Sequence, residues 1–435
     1  QFNRIALARA PIGKAKDRGF SHVKRSCLAC LACLVSVGAQ AQKSVADGIA
    51  EYRKMLEDGN PADLFEAKGS VGRKFLIAGK GGLNLTHSEP RPGFDARYRE
   101  RMPQLAHWLD AFDGNALRAW AREFGVETYV GSSGRVFPSD RKAAPLLRAW
   151  VRRLRERGVR FHVHHRWLGW NNEGALLFDT PEGERIVHAN ASVFALGGAS
   201  WPQLGSDGAW VPVLSERGIA IAPLQPSNCG FDIDWSEHLA ARHAGAPLKP
   251  VIAHWQDPGG TMRALQGECV LTAAGIEGSV VYAISADLRD CIQRDGETML
   301  WLDLAPGRDL DRLHRDLEKP RGKRSLGEHL RRHTGLDGVK IALLHEVLSR
   351  EAMANIDTQA GTIKRLPLRL RSTRPIAEAI STAGGVRLLR WAGDRRARRG
   401  GIHKSVERPS GREIIRAEIQ RPEGRSTNSR QNTAT

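Results

Sequence analysis

Between residues 140 and 157 the apolar positions Ala143, Leu146, Leu147, Trp150, Val151 and Leu154 recur at spacings of three and four. That is the repeat of one helical face, and Gly158 stops it, so the pattern predicts an amphipathic helix. The run 159–163 then reads as a strand. Short apolar runs at 167–170, 175–178 and 185–188 follow, separated by Asn171-Asn172 and Glu182-Gly183, which is the pattern of antiparallel strands joined by turns. Residues 192–196 form an apolar strand that runs directly into Gly197 and Gly198. Upstream, Trp108, Phe112, Leu117, Trp120, Phe124 and Val126 fall on helical faces and predict core packing.

From about residue 207 prolines punctuate short β-like runs at 229–233, 251–255, 269–272, 280–284 and 299–304, predicting a small antiparallel barrel or sandwich. The stretch 308–370 is charged and amphipathic with few β-branched runs, so a helical subdomain is expected there, with Lys340 on a solvated face. The resulting division is 1–69 as an appended, poorly packed segment, 70–206 as a first nucleotide-binding part, 207–305 as the barrel and 306–370 as helical. Residues 371–386 return to the first domain, and 387–435 form a basic, disordered tail.

With 435 residues, 41% hydrophobic positions and a mean hydropathy of -0.39, the chain has room for several domains and is not a polytopic membrane protein. The net charge of +18 sits at the ends: residues 1–60 carry 10 Lys and Arg against 5 Asp and Glu, and residues 387–435 carry 13 against 5. The long middle has only a slight cationic excess, so the charge predicts no specific nucleic-acid partner. The six cysteines are too few and too unevenly spaced for a disulfide scaffold. Two cations at Lys24 and Arg25, an apolar run, and Ala39-Gln40-Ala41 form a signal-peptide-like pattern at 23–41, too short to span a bilayer. It leaves the compartment open between export and cytoplasm.

The segment 72–90, GRKFLIAGKGGLNLTHSEP, carries the densest candidate chemistry. Gly79, Gly81 and Gly82 let backbone N–H groups approach a phosphate, and Arg73 and Lys74 supply countercharge. It is not a Walker A loop, because the required upstream Gly and following Ser or Thr are missing. A glycine-rich surface turn is the plainer reading. His162 and His164 share one strand face, but no acid or cysteine stands near them in sequence to complete a metal site. His87, near the glycines, is a candidate acid or base by location alone. No G-x-S-x-G elbow occurs, and Gly131 to Gly134 reads as a turn.

Taken in order, the segments at 72–90, 131–138 (GSSGRVFP), 195–210 (ALGGASWPQLGSDGAW), 275–290 (GIEGSVVYAISADLRD) and 366–386 (LPLRLRSTRPIAEAISTAGGV) resemble the BaiN-like, aminoacetone oxidase-like FAD-dependent oxidoreductases. The resemblance covers about 70–386. It implies an α/β fold: a Rossmann-type FAD-binding domain interrupted by an inserted antiparallel β-barrel and a helical subdomain. It also implies redox chemistry on an unknown small molecule, with NAD(P)H as a candidate electron donor. By position, Arg73, Lys74, Gly79, Gly81, Gly82, Asn84 and Leu85 would line the pyrophosphate and flavin side. Val163 would offer backbone to the adenine, Gly197 and Gly198 would close over the cofactor, and Glu66 would stand at the ribose.

Two departures accompany the resemblance. No G-x-G-x-x-G occurs in the chain, and after Val386 the family's closing flavin-pocket segments give way to the Arg-rich tail, so the Rossmann domain reads as incomplete. The alternative reading is therefore a non-catalytic, truncated composite. Residues 23–69, through ADGIAEYRKMLEDGNPADLFEAKG, resemble the start of the SoxA c-type cytochromes of thiosulfate-oxidising complexes, without any haem-attachment motif.

Overall fold

The computed structural model describes residues 6–8, 62–78, 81–189 and 191–387, which divide into two units. Gln1–Gly197, Leu204–Pro223 and Gly384–Thr435 make the first; Gly198–Gln203 and Leu224–Ala383 make the second. The signal-like pattern at 23–41 and the basic tail from 388 lie outside the described residues.

The first unit is built on a four-stranded sheet in the order Val193–Phe194, Ala6–Ala8, Asp63–Glu66, Arg160–Val163. Asp63–Glu66 and Arg160–Val163 run parallel, with Glu66 opposite Val163. Ala6–Ala8 runs antiparallel to both its neighbours. All four residues of Asp63–Glu66 are buried, so the packed body starts no later than Ala62 and takes in part of the segment read as appended.

A parallel pair needs a crossover, and the chain supplies one through helix Ala144–Glu156, which the periodicity located. Leu146, Leu147 and Trp150 on its buried face pack against Phe75 and Trp120, with the Trp120 and Trp150 rings edge to face at 5.2 Å. The three strands expected after it are Arg166–Trp170, Leu176–Thr180 and Gly183–Val187, paired antiparallel. Phe178 from this meander stacks on Phe65 at 4.3 Å and closes one face of the sheet.

The second unit holds a seven-stranded sheet in the order Leu366–Leu370, Thr298–Asp303, Pro247–Gln256, Met262–Leu271, Gly275–Glu277, Phe231–Asp232, Ser372–Thr373. Its pairs are antiparallel. The two outer strands do not pair with each other, so the expected barrel is an open sheet. The run 280–284, read as a strand, lies inside helix Ser279–Asp295. Val280, Val281, Ile284, Leu288 and Cys291 are its buried apolar positions, a helical face that the short β-branched run concealed.

Helices Leu310–Leu317, Leu326–Thr334, Gly338–Val347 and Ile356–Lys364 occupy the stretch 308–370. Leu313, Leu330, Leu343 and Ile363 share one continuous core with Leu300 and Leu302 of the sheet. The boundary expected at 207 also moves, because Leu204–Pro223 pack with the first unit. Lys340 is not solvated: it is 5% exposed, and its ammonium donates to Pro250 O at 2.9 Å and Leu304 O at 2.7 Å. Among the described residues, Cys229, Cys269 and Cys291 are free and buried.

Candidate functional site

In an open α/β sheet a ligand meets the carboxyl ends of the parallel strands, and here that edge is set by Glu66 and Val163. Backbone hydrogen bonds stitch the two ends together: His165 N–H donates to Glu66 O at 2.9 Å and His164 N–H to Lys68 O at 3.1 Å. Glu66 is buried, and its Oε1 accepts the Lys68 N–H at 2.8 Å, which fixes the carboxylate at the strand end. Gly69 lies so close to the His164 ring that an added Cβ would sit 2.8 Å from it. This close approach holds the loop after Glu66 against the neighbouring strand. Val163, whose backbone was expected at the adenine, accepts the His165 Nδ1–H on its carbonyl at 2.8 Å.

The glycine segment begins as a short helix, Arg73–Ala78, packed beneath helix Ala144–Glu156 through Phe75. Arg73 is exposed and donates from Nε to Ser70 Oγ at 3.0 Å. Lys74 is buried, and burial pulls its ammonium pKa below the ordinary lysine value. Gly79 lies outside the described residues. Gly81 is exposed with open space where a Cβ would stand, and Gly82 has φ +106° beside Phe137. From there the chain pairs with 136–141: Leu83 N–H donates to Arg141 O and Leu85 N–H to Val136 O. Asn84 between them is exposed, and Leu85 packs on the helical core.

Gly197 and Gly198, expected to act together, fall in different units. Gly197 has φ +76°, and its carbonyl accepts the Trp210 indole N–H at 2.9 Å. Gly198 is set against Thr382, whose side chain occupies the space of a Cβ and whose Oγ1 accepts the Ala199 N–H at 3.0 Å. That amide is therefore already engaged within its own unit.

A shallow cleft opens in the first unit beside Ala67 and Leu196, the residues next to Glu66 and Gly197. Phe65, Trp167, Phe178 and Trp210 wall it, and His165 and Arg166 line it. The Trp167 indole nitrogen is buried without a hydrogen-bond partner. His165 is held as the Nδ1–H tautomer, with Nε2 facing the Arg185 guanidinium at 3.3 Å, and Arg166 pairs with Asp207 at 3.3 Å. Aromatic walls of this kind suit a flat ring system. The sequence did not disclose the cleft: Trp167, Phe178 and Trp210 lie on three elements that only the fold assembles.

Two histidine readings are resolved by geometry. His162 Nε2 bonds Asp63 Oδ1 at 2.7 Å, a partner 99 residues away that the local sequence could not show, and Arg160 takes the second oxygen of Asp63. His87 donates from Nε2 to Ser133 O at 3.0 Å and accepts the Glu89 N–H on Nδ1 at 3.1 Å, so both nitrogens serve the fold. Among the described residues no group of three or more His, Cys, Asp or Glu side chains is arranged to hold a metal ion. Among them, too, no helix is long and apolar enough to cross a membrane.

A sequence model of the HI0933-like protein Rossmann domain matches residues 46–392. The chain belongs to the HI0933-like family. The resemblance to BaiN-like flavoproteins is thereby borne out. The family match starts at Ala46, inside the segment that resembles SoxA. The 3-dehydro-bile acid delta(4,6)-reductase of Clostridium scindens is 24% identical over 265 residues, 60% of this chain and 63% of that protein. The chain thus spans about three fifths of the length of the curated relative it matches.

A Rossmann sheet holds a dinucleotide with an acid on the second strand, backbone at the neighbouring strand end, and a glycine loop that leaves a first parallel strand. In this HI0933-like chain Glu66 and the 163–165 turn fit the first two requirements. Among the described residues the strand beside Asp63–Glu66, Ala6–Ala8, runs antiparallel to it. The strand-end acid and the neighbouring turn are of the kind that would hold a nucleotide's ribose and base.

Proposed function

We propose that this HI0933-like chain is a flavin-dependent oxidoreductase acting on a small molecule, with the adenosine of FAD at the carboxyl ends of Asp63–Glu66 and Arg160–Val163. The observation that carries the reading is the parallel pairing of Glu66 with Val163 beside a cleft walled by aromatic side chains. Glu66 would accept from the ribose hydroxyls. Arg73, exposed at the head of its helix, would lend positive charge to the phosphates, with Gly81 and Gly82 offering close backbone approach. A flavin supplies hydride chemistry when bound, and the protein's part is to hold and orient it. The C. scindens relative is named for a reduction, which agrees with the proposed class; NAD(P)H is the electron donor we propose.

The test is to purify the chain and measure flavin. Bound flavin, or uptake of added FAD with the spectral change of a protein-bound flavin, supports the reading. A folded, colourless protein that takes up neither FAD nor FMN would overturn it and favour the non-catalytic alternative.

A further inference from the structure

Helix Leu326–Thr334 carries two histidines one turn apart, His329 and His333, with ring centroids 4.8 Å from each other. His329 is 4% exposed. Its Nε2 faces Leu317 O at 3.2 Å, so that nitrogen carries the hydrogen and donates it. Nδ1 is left as a buried lone pair with no partner. A hydrogen added to this nitrogen would point into a site with no acceptor.

The surroundings make the same demand of His333. Its charged form is disfavoured first by burial, then by His329, Lys319, Arg332 and Arg324, and its pKa lies below the ordinary histidine value. Helix Leu310–Leu317, packed on this face, offers the carboxylate of Asp316, but Arg308 and Lys319 already pair with it. From helix Gly338–Val347 on the other side, Asp337 caps its own helix through the Lys340 N–H, and the Lys340 ammonium is turned to Pro250 O and Leu304 O. Glu328, next to His329 on its own helix, is exposed.

We propose that the stacked His329–His333 pair is an acid-sensitive latch: it holds helix Leu326–Thr334 on helix Leu310–Leu317 while both rings are neutral, and releases it when they take up protons. The sign follows from linkage. A histidine whose folded pKa is depressed leaves the unfolded segment binding more protons, so the contact is intact above the ordinary value of 6.5 and is lost as pH falls below it. The mechanism is independent of the flavin reading.

The test is hydrogen exchange read by mass spectrometry on the full chain at about pH 7.5 and about pH 5.5, corrected for intrinsic exchange. Peptides covering 326–334 should lose protection at the acid pH relative to pH 7.5, the direction that a depressed histidine pKa demands. Strands Pro247–Gln256 and Thr298–Asp303 should keep theirs. His329→Gln, which keeps a donor for Leu317 O but does not titrate, should reduce the acid response. Should that variant fail to fold, His333→Gln, at the more exposed position, should reduce the response. An acid loss of protection that is the same in His333→Gln as in the unaltered chain, or no loss at all in the unaltered chain, would overturn the latch.

Discussion

The indole N–H of Trp210 donates to Gly197 O at 2.9 Å, tying the start of helix Trp210–Ser215 to the turn that ends the Val193–Phe194 strand. Gly197 holds φ +76°, so the turn depends on both the glycine and this bond. Trp210→Phe keeps the ring in the cleft and removes the donor. It is expected to cost about 0.5–1.5 kcal/mol of stability and to lower the flavin retained through purification. Thermal melts with flavin content per chain measure both, and no change in either would show the bond to be idle.

Lys340 is the polar pin of the second unit. Lys340→Met fills a similar volume but leaves Pro250 O and Leu304 O without their donor, at about 1–3 kcal/mol for each buried group, partly offset by removing a desolvated charge. A net loss of about 2 kcal/mol is expected in the urea midpoint. A variant as stable as the parent would mean that water reaches both carbonyls.

Burial pushes the thiol pKa of Cys229 up to about 11 and that of Cys269 up to about 12. Near pH 8 both are protonated, and only the thiolate reacts. Alkylation followed by peptide mapping should leave these two unmodified in the native protein and modify them in urea. Native modification of Cys269 at the denatured rate would contradict its burial.

Two glycines separate steric need from backbone need. A Cβ on Gly275 would overlap Phe231 O, a backbone atom of the paired strand. A Cβ on Gly260, at φ +82° in a hairpin, meets nothing within 4 Å. Gly275→Ala should therefore prevent the second unit from folding, whereas Gly260→Ala should cost only about 1–2 kcal/mol for the left-handed backbone. Circular dichroism and urea melts of the two variants distinguish them, and equal effects would refute the close approach.

What the sequence disclosed was local. The helix Ala144–Glu156 and the three-stranded meander have periods that short windows capture. Helix Ser279–Asp295 was misread because Val280, Val281 and Ile284 suit a strand until the face is followed to Leu288 and Cys291. Lys340 was misread because its acceptors are 36 and 90 residues away. The open second sheet was read as a barrel because strand runs carry no closure information. At the site, Glu66 and Val163 were both expected from family position, while their parallel pairing and the aromatic cleft depend on contacts about a hundred residues apart.

The most direct measurement of the central claim is equilibrium binding of FAD and of FMN to the unaltered chain and to Glu66→Gln. Only FAD carries the adenosine ribose, and a carboxylate hydrogen bond to it is worth about 1.5–3 kcal/mol. The account predicts FAD affinity about 10- to 150-fold weaker in Glu66→Gln, with FMN binding unchanged. FAD binding that is indifferent to Glu66, or the absence of flavin binding to the folded chain, would contradict it.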